Sequence, residues 1–319
     1  MTPPEGKAAP AGDTRWAVRR PATVLEGYAL VAASFLMWGG IGALVRYSTM
    51  PASALNVLRM VIGSLIVAVV FARRETLAEV RRADVWPLVL IMGAFSSCTI
   101  LLFFVAIRLT DVAVGMFLLF TAPVYVALLA PRFMHQRPDR IVYPALLIAL
   151  AGMATILLPG IFGAEKVSAA GIACGVASGI LYACYALVTK RLLRRARSTT
   201  VALGEMALDA VFLLPLAAWQ VVGAGYDFTR NDWIAGLALG VLCTAIPYVL
   251  YAEGLQRIRV EHASILGYLE PVSAPFYALL LLGEAPEAGT IVGGALIVVA
   301  GVLVVVFGRP ETPGLELPT

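Results

Sequence analysis

Ten long apolar runs constrain the fold of this 319-residue chain more than any other feature. A helix of about 20 apolar residues crosses the hydrocarbon core of a bilayer, and each run has about that length. Only 14% of the residues are charged, whereas soluble domains carry about 25%. The pattern predicts an all-α polytopic membrane protein and argues against a soluble enzyme, a disordered protein and a secreted disulfide scaffold. The predicted spans cover residues 26–47, 53–72, 86–108, 112–130, 141–161, 169–190, 201–222, 233–254, 262–282 and 288–308.

The distribution of Lys and Arg predicts the orientation of these spans. With a cytoplasmic N-terminus, 19 of the 24 basic residues fall on the cytoplasmic side and 4 on the opposite side, while Arg59 lies within a span. Basic residues concentrate in cytoplasmic loops, so both termini are expected in the cytoplasm. The net charge of +4 is not gathered on one soluble face, and no nucleic-acid partner is predicted.

Cysteine and histidine give no indication of a metal site. Cys98, Cys174, Cys184 and Cys243 each lie in an apolar run without CxxC spacing, and the two histidines are far apart in the sequence. Isolated cysteines in apolar runs usually behave as small hydrophobic side chains. We therefore expect neither a metal nor a cofactor.

An internal repeat divides the chain into two halves. Residues 106–123 align without gaps to 254–271, and the first span aligns with the sixth. Five spans per half would place the halves in opposite orientations, an architecture typical of secondary transporters with a central site. We expect repeats over 25–161 and 162–308, a disordered basic tail over 1–24, and a cytoplasmic tail over 309–319. The matching pairs include Val112/Val260, Leu118/Leu266, Pro123/Pro271 and Trp38/Tyr182.

The segment from Leu269 to Val305 carries a family resemblance. It contains a Glu-Pro entry, a Gly283-Glu284 turn and a Gly-Ala-Leu-Ile run that ends in Ala-Gly, and residues 121–130 (TAPVYVALLA) match its counterpart. With Trp38 and Arg59, these motifs resemble the ten-helix EamA-type branch of the drug/metabolite transporter superfamily, in particular its exporters of aromatic amino acids and metabolites. The resemblance implies two intertwined inverted repeats around a central cavity and export of small organic molecules.

Ionisable residues inside spans cost about 2.5–3.5 kcal/mol each on insertion and are therefore functional candidates. Arg59 could bind a substrate carboxylate, or could snorkel or tie helices together. Glu270, directly before Pro271, could carry a coupling proton or contact substrate, or could be pinned to helix ends or tyrosines. Asp209 is a second coupling candidate. Glu205, four residues earlier, is expected in solvent near the helix end.

Other side chains are candidates for substrate contact or movement. Among eight aromatic residues in central spans, Trp38, Tyr182 and Tyr248 are expected to touch substrate, although packing and interfacial roles are alternatives. Ser97 could supply a hydrogen bond. Pro123 and Pro271 interrupt helices and could act as hinges, or could form static kinks. Glu253 is expected to form a surface ion pair with Arg257 at i+4. The remaining aromatic residues are Phe103, Tyr125, Tyr185, Tyr251 and Tyr268.

These features together favour a secondary active exporter that works by alternating access in the inner membrane. The chain has no GxxxxGK[ST] motif, so ATP is not expected to drive transport directly. One cationic and several acidic residues suit a zwitterion, which favours amino acids, aromatic ones among them. An exporter of cationic drugs or nucleobase-like metabolites is the alternative, and a membrane scaffold or an intramembrane enzyme is a remote one. The expected partners are a small-molecule substrate and the lipid bilayer, with a monomer favoured over a dimer.

Overall fold

The computed structural model describes residues 24–71, 74–135, 139–164 and 167–309, and these residues form a bundle of helices. Ten segments are long and apolar enough to cross a membrane, which confirms the predicted fold class. The predicted tails over 1–24 and 309–319 lie outside the described residues, apart from Val24 and Arg309. The spans are Val24–Val45, Ala52–Val70, Trp86–Leu109, Val112–Phe133, Val142–Phe162, Ala169–Leu193, Ser198–Ala224, Arg230–Leu255, Val260–Leu282 and Ala288–Phe307.

Local capping explains where two of the spans begin. The eighth span begins at Arg230, three residues before the predicted start, because Thr229 and Asp232 form a capping box. The Ser168 hydroxyl accepts a hydrogen bond from the Gly171 N–H at the start of the sixth span. A short helix, Arg74–Val80, lies between the second and third spans.

Four spans are discontinuous. The first is interrupted after Trp38, and the eighth contains a π-helical turn. The fourth and ninth spans are each interrupted near their middle, at positions that correspond between the two repeats. The helical pieces of these four spans are Val24–Trp38 and Ile41–Val45; Val112–Leu119 and Ala122–Phe133; Arg230–Gly240, Val241–Ala245 and Ile246–Leu255; and Val260–Leu266 and Leu269–Leu282.

The packing of the spans has the symmetry of a repeat. The third span packs against the sixth, and the eighth packs against the first in the same way. The second packs against the seventh and the fifth against the tenth. Exchanging every span with the one five places away leaves this set of neighbours unchanged. The structure is therefore built from two five-helix repeats, and an odd number of spans places them in opposite orientations.

Two glycines allow the fifth and tenth spans to cross closely. A Cβ atom on Gly152 would lie 2.6 Å from the carbonyl oxygen of Gly293, and one on Gly293 would lie 2.4 Å from that of Gly152. Neither position could hold a side chain without separating the helices. Small residues serve this purpose widely in membrane helix packing.

Candidate functional site

Arg59 lies in the second span, half-buried among polar side chains. Its Nε donates a hydrogen bond to Asn56 Oδ1 at 2.8 Å, and its Nη1 donates to Thr244 Oγ1 at 3.4 Å. Thr244 belongs to the π-helical turn, and its hydroxyl donates to the Leu239 carbonyl five residues earlier. Turns of this kind are frequent at functional sites. The geometry brings the second and eighth spans together around one guanidinium group.

Asp209 is fully buried in the seventh span. Its carboxylate accepts hydrogen bonds from Ser96 at 2.9 Å and from Ser97 at 2.8 Å, both in the third span. Arg59 lies close enough to Asp209 for electrostatic attraction, but the two groups form no ion pair. The structure thus places Ser97 beside an acidic side chain, and its predicted contact with substrate stays a prediction.

The position of Glu205 differs from the one that the sequence predicts. Its exposed fraction is only 4%, whereas the sequence placed it in solvent. The seventh span begins at Ser198 rather than at 201, so Glu205 lies about two turns inside it. Its side chain lies near Tyr185 and interacts electrostatically with Asp209. The spacing of four residues between Glu205 and Asp209 was the sequence signal for this burial, because residues four apart lie on the same face of a helix.

Glu270 is the second residue after the interruption of the ninth span. Its carboxylate lies within electrostatic reach of Arg59 and of Tyr182. Gly39 allows the first span to approach this point, because a Cβ there would lie 2.7 Å from the Glu270 carbonyl oxygen. Glu270 therefore lies where the first and ninth spans meet, on the same interior site as Arg59.

The aromatic candidates separate into two groups. Trp38 packs against Tyr248 and Tyr251, with ring centroids 5.3 and 5.5 Å apart, and Tyr182 packs against Tyr185 at 5.6 Å. Tyr248 is close enough to interact with all four charged residues of the interior. The three predicted substrate contacts thus join the site, together with Tyr185 and Tyr251. By contrast, Phe103 contacts Phe104, Tyr125 packs against the hydrophobic core, and Tyr268 donates a hydrogen bond to the Phe120 carbonyl.

Both repeats therefore supply polar and aromatic side chains to one interior site, henceforth the central site. It contains one guanidinium group and three carboxyl groups, surrounded by aromatic rings. The described residues contain no group of three or more His, Cys, Asp or Glu side chains suited to hold a metal ion. The members of the central site are Trp38, Asn56, Arg59, Ser96, Ser97, Tyr182, Tyr185, Glu205, Asp209, Thr244, Tyr248, Tyr251 and Glu270.

The model of one protein family matches this chain over residues 25–158 and 169–307. It is the family of EamA-like transporters. The chain belongs to the EamA-like transporter family. The two matched segments correspond to the two halves of the bundle.

Individual relatives of this EamA-like transporter are similar over nearly their whole length. An uncharacterized transporter of Archaeoglobus fulgidus is 29% identical over 87% of this chain and 95% of its own. The threonine/homoserine exporter RhtA of Salmonella typhimurium is 28% identical over 80% of this chain and 82% of its own. The pseudopaline exporter CntI of Pseudomonas aeruginosa is 26% identical over 86% of this chain and 94% of its own. The homologues are thus transporters, and the exporters among them differ in substrate.

The predicted hinge prolines of this EamA-like transporter lie at the interruptions of the fourth and ninth spans. Pro123 is the second residue of Ala122–Phe133, and Pro271 is the third residue of Leu269–Leu282. Both are buried. Proline is favoured in the first turn of a helix, where its missing N–H has no partner to lose. Their location agrees with a hinge, whereas movement about them stays a prediction.

A second polar network lies at one end of the bundle. The Tyr28 hydroxyl oxygen lies 2.6 Å from His262 Nδ1, and His262 Nε2 lies 3.0 Å from Asp139 Oδ2. Burial alone would raise the pKa of the Asp139 carboxyl, but hydrogen bonds from the Arg309 and Ile141 N–H groups and from His262 hold it below its ordinary value of 3.8. This network ties the first and ninth spans to the ends of the fifth and tenth. The sequence gives no local signal for this network, since the partners of His262 lie 234 and 123 positions away.

Ion pairs at the bundle ends connect loops. Glu253 and Arg257 pair at 3.0 Å as predicted, although both side chains are half-buried rather than at the surface. The Ser198 hydroxyl also donates to Glu253. Arg197 pairs with Glu75 at 2.5 Å and with Glu79 at 3.2 Å. These contacts link the loop between the second and third spans to the loop between the sixth and seventh.

Proposed function

We propose that this EamA-like transporter is a secondary active exporter of amino acids that works by alternating access. The observation that carries the proposal is the charge separation in the central site. Arg59 lies within electrostatic reach of Asp209 and Glu270, yet its hydrogen bonds go to neutral Asn56 and Thr244. A zwitterion would fit this arrangement, with its carboxylate on the guanidinium group and its ammonium group toward the carboxylates.

Two further observations support amino acids as the substrate class. The relative RhtA is a threonine/homoserine exporter and is similar over most of both chains. The central site also carries the rings of Trp38, Tyr182 and Tyr248, whose apolar surfaces suit a hydrophobic or aromatic side chain. These rings favour the larger amino acids over the smallest ones.

We propose that the protein acts as a monomer in the inner membrane. In the proposed orientation, both termini lie in the cytoplasm. The asymmetry of Lys and Arg supports it, with 19 residues on one side and 4 on the other. The loop contacts agree with the alternation of the spans, which holds for either orientation. Arg197 meets Glu75 across two loops assigned to the cytoplasm, and Arg46 meets Glu284 at 2.5 Å across two loops assigned to the outside.

We further propose that Asp209 and Glu270 couple export to the proton gradient. Three carboxyl groups and one guanidinium group cannot all be charged in a low-dielectric interior without a net negative charge, which is costly. Protons or a positively charged group of the substrate would balance that charge. Alternating exposure of the site to the two sides of the membrane would then carry protons inward as substrate moves outward.

One specific observation favours a second candidate, an exporter of cationic drugs. Glu205 is buried beside Tyr182, Tyr185, Tyr248 and Tyr251, and such rings attract organic cations. A cation would use the carboxylates and the rings but would have no need of Arg59. The two candidates therefore differ in their dependence on one residue.

The test is exchange by purified protein in proteoliposomes preloaded with a mixed pool of amino acids. External amino acids are supplied one at a time with a radioactive label, and the substitution Arg59→Gln is compared with wild type. Arg108→Gln, which changes an exposed arginine at the end of the third span, is the matched control. We expect exchange in wild type and in the control and its loss in Arg59→Gln.

Two outcomes would contradict the proposal. The amino-acid assignment fails if folded wild-type protein exchanges none of the labelled amino acids. Cationic dyes that are transported equally by wild type and Arg59→Gln would support the second candidate instead.

A further inference from the structure

Asn56 lies in the first turns of the second span, and its exposed fraction is 8%. The carboxamide oxygen accepts the hydrogen bond from Arg59 Nε at 2.8 Å. Every polar hydrogen of a guanidinium group is a donor and none of its atoms accepts, so the amide atom beside it has to be the oxygen. The orientation of the carboxamide is thereby fixed, and its NH₂ group is not the group that meets Arg59 Nε.

That NH₂ group has no hydrogen-bond partner among the described residues. Leaving a buried donor without an acceptor is unfavourable, and most buried polar groups in proteins are paired. The nearby hydroxyl of Thr244 is already engaged, because it donates to the Leu239 carbonyl and accepts from Arg59. Asn56 and Arg59 thus both present donors to the central site, and the Asn56 NH₂ group has no acceptor among the described residues.

We propose that Asn56 and Arg59 together form the carboxylate subsite of the central site, and that a free carboxylate is therefore required of the substrate. One carboxylate oxygen would accept from the guanidinium group and the other from the Asn56 NH₂ group. This inference rests on the proposed function and adds to it a specificity-determining residue and a chemical requirement. Esters and decarboxylated amines lack the paired anionic oxygens and would be rejected, because they would leave the buried donor unpaired.

The substitution Asn56→Asp tests the subsite with almost no change in shape. One carboxylate oxygen keeps the contact with Arg59, while the other replaces the NH₂ donor with an acceptor that repels a substrate carboxylate. In proteoliposomes we expect the KM for the best amino acid to rise at least tenfold. Uptake of the amine that corresponds to the same amino acid without its carboxyl group is expected to stay equal or to rise.

Asn231→Asp is the matched control, because Asn231 is exposed at the start of the eighth span and undergoes the same chemical change. We expect it to keep the wild-type KM. An unchanged KM in Asn56→Asp, with amino-acid exchange intact in wild type, would overturn this inference and leave the proposed function standing. Absence of exchange in wild type would overturn the proposed function itself.

A second measurement uses wild-type protein alone and does not depend on how the variant folds. Unlabelled amino acid, its methyl ester and its decarboxylated amine compete with uptake of the labelled amino acid. We expect the free acid to inhibit at a concentration at least tenfold lower than that of the other two. Equal inhibition by all three compounds would contradict a carboxylate subsite, whatever the result with Asn56→Asp.

Discussion

The Tyr268 hydroxyl donates a 2.8 Å hydrogen bond to the backbone carbonyl of Phe120, and their rings stack at 6.1 Å. The two residues are 148 positions apart, which is the offset between the aligned segments of the two repeats. Each lies at the interruption of its span. In a continuous helix the Val124 N–H would bond to Phe120, but here it donates to Thr121 at 2.9 Å. The carbonyl that would accept from Val124 in a continuous helix thus accepts instead from the equivalent residue of the other repeat.

The substitution Tyr268→Phe removes this hydroxyl and keeps the ring. We expect it to lower the free energy of unfolding by about 1–3 kcal/mol, because it leaves the half-buried Phe120 carbonyl without this partner. Thermal unfolding of the purified protein in detergent measures the effect. Tyr143→Phe removes a hydroxyl from an exposed ring and serves as the control. Equal unfolding temperatures for Tyr268→Phe and wild type would contradict a structural role of this bond.

Gly39 permits the close approach of the first and ninth spans. A Cβ added there would lie 1.9 Å from Ser273 Oγ and 2.7 Å from the Glu270 carbonyl oxygen. The side chain of Ser273 could rotate away, but the backbone of Glu270 could not move without moving its helix. We expect Gly39→Ala to destabilise the protein by about 1–3 kcal/mol or more, as overpacking does, and to displace Glu270 from the central site.

Gly42 offers the matched control for Gly39. It lies in the helix Ile41–Val45, and a Cβ there would meet no atom within 4 Å. Gly42→Ala should be neutral or stabilising by up to about 1 kcal/mol, because alanine is the better helix former. Both variants are compared by thermal unfolding and by the fraction of monodisperse protein. If the two substitutions behave alike, the close contact at Gly39 has no energetic consequence.

The sequence predicts the ten spans and most of the ionisable residues in the central site for the same physical reason. Apolar runs are costly to expose to water, so each run indicates a span. Charged side chains are costly to expose to lipid, so a charge within a run indicates a position in the protein interior. Asn56 and Thr244 carry no charge, and nothing in the local pattern separates them from ordinary helix-packing residues. Thr244 reaches Arg59 through a π-helical turn, and an extra residue in a turn rotates every later side chain around the helix axis. That rotation is not visible in the hydrophobic pattern.

Glu205 and the Tyr28–His262–Asp139 network show a second limit of prediction from the sequence. The burial of Glu205 depends on the start of its helix, and a shift of three residues moved it by almost one turn. The network joins residues 234 and 123 positions apart in the chain, so only the tertiary structure brings them together. Local patterns cannot reveal such contacts.

Asp139 gives a prediction for the pH dependence of stability. Because its pKa in the folded protein lies below the ordinary value of 3.8, the folded state favours the ionised carboxyl group. The resulting stabilisation is present above pH 3.8 and is lost as the pH falls through the lower folded-state pKa. We expect Asp139→Asn to be destabilised at neutral pH, because a carboxamide has one acceptor oxygen where the carboxylate uses two. The difference from wild type should shrink below about pH 4.

Unfolding temperatures of wild type and Asp139→Asn between pH 7 and pH 3 measure this dependence. Asp84→Asn is the control, since Asp84 forms an exposed pair with Arg82 at 2.9 Å and such pairs contribute little. A difference between Asp139→Asn and wild type that stays constant over the whole range would show that the charge of Asp139 is not the cause.

Asp209 gives the sharpest test of proton coupling. The substitution Asp209→Asn keeps a polar group of the same shape beside Ser96 and Ser97, because a carboxamide can accept from one hydroxyl and donate to the other. It removes the group that could bind and release a proton. We expect accumulation of labelled amino acid against its gradient, driven by an imposed pH gradient, to fall at least tenfold. Exchange between equal pools on the two sides, which needs no net proton movement, should persist within about threefold.

Glu284→Gln is the matched control for this coupling test. Glu284 lies at the surface, just after the end of the ninth span, and pairs there with Arg46 at 2.5 Å. Neutralising it changes the same type of group in a solvated position, so both accumulation and exchange are expected to stay at wild-type levels. If Asp209→Asn accumulates substrate as wild type does, the coupling proton is carried elsewhere, and Glu270→Gln is the variant to compare next. Loss of both accumulation and exchange in folded Asp209→Asn would instead place Asp209 in substrate binding, since coupling alone does not limit an exchange between equal pools.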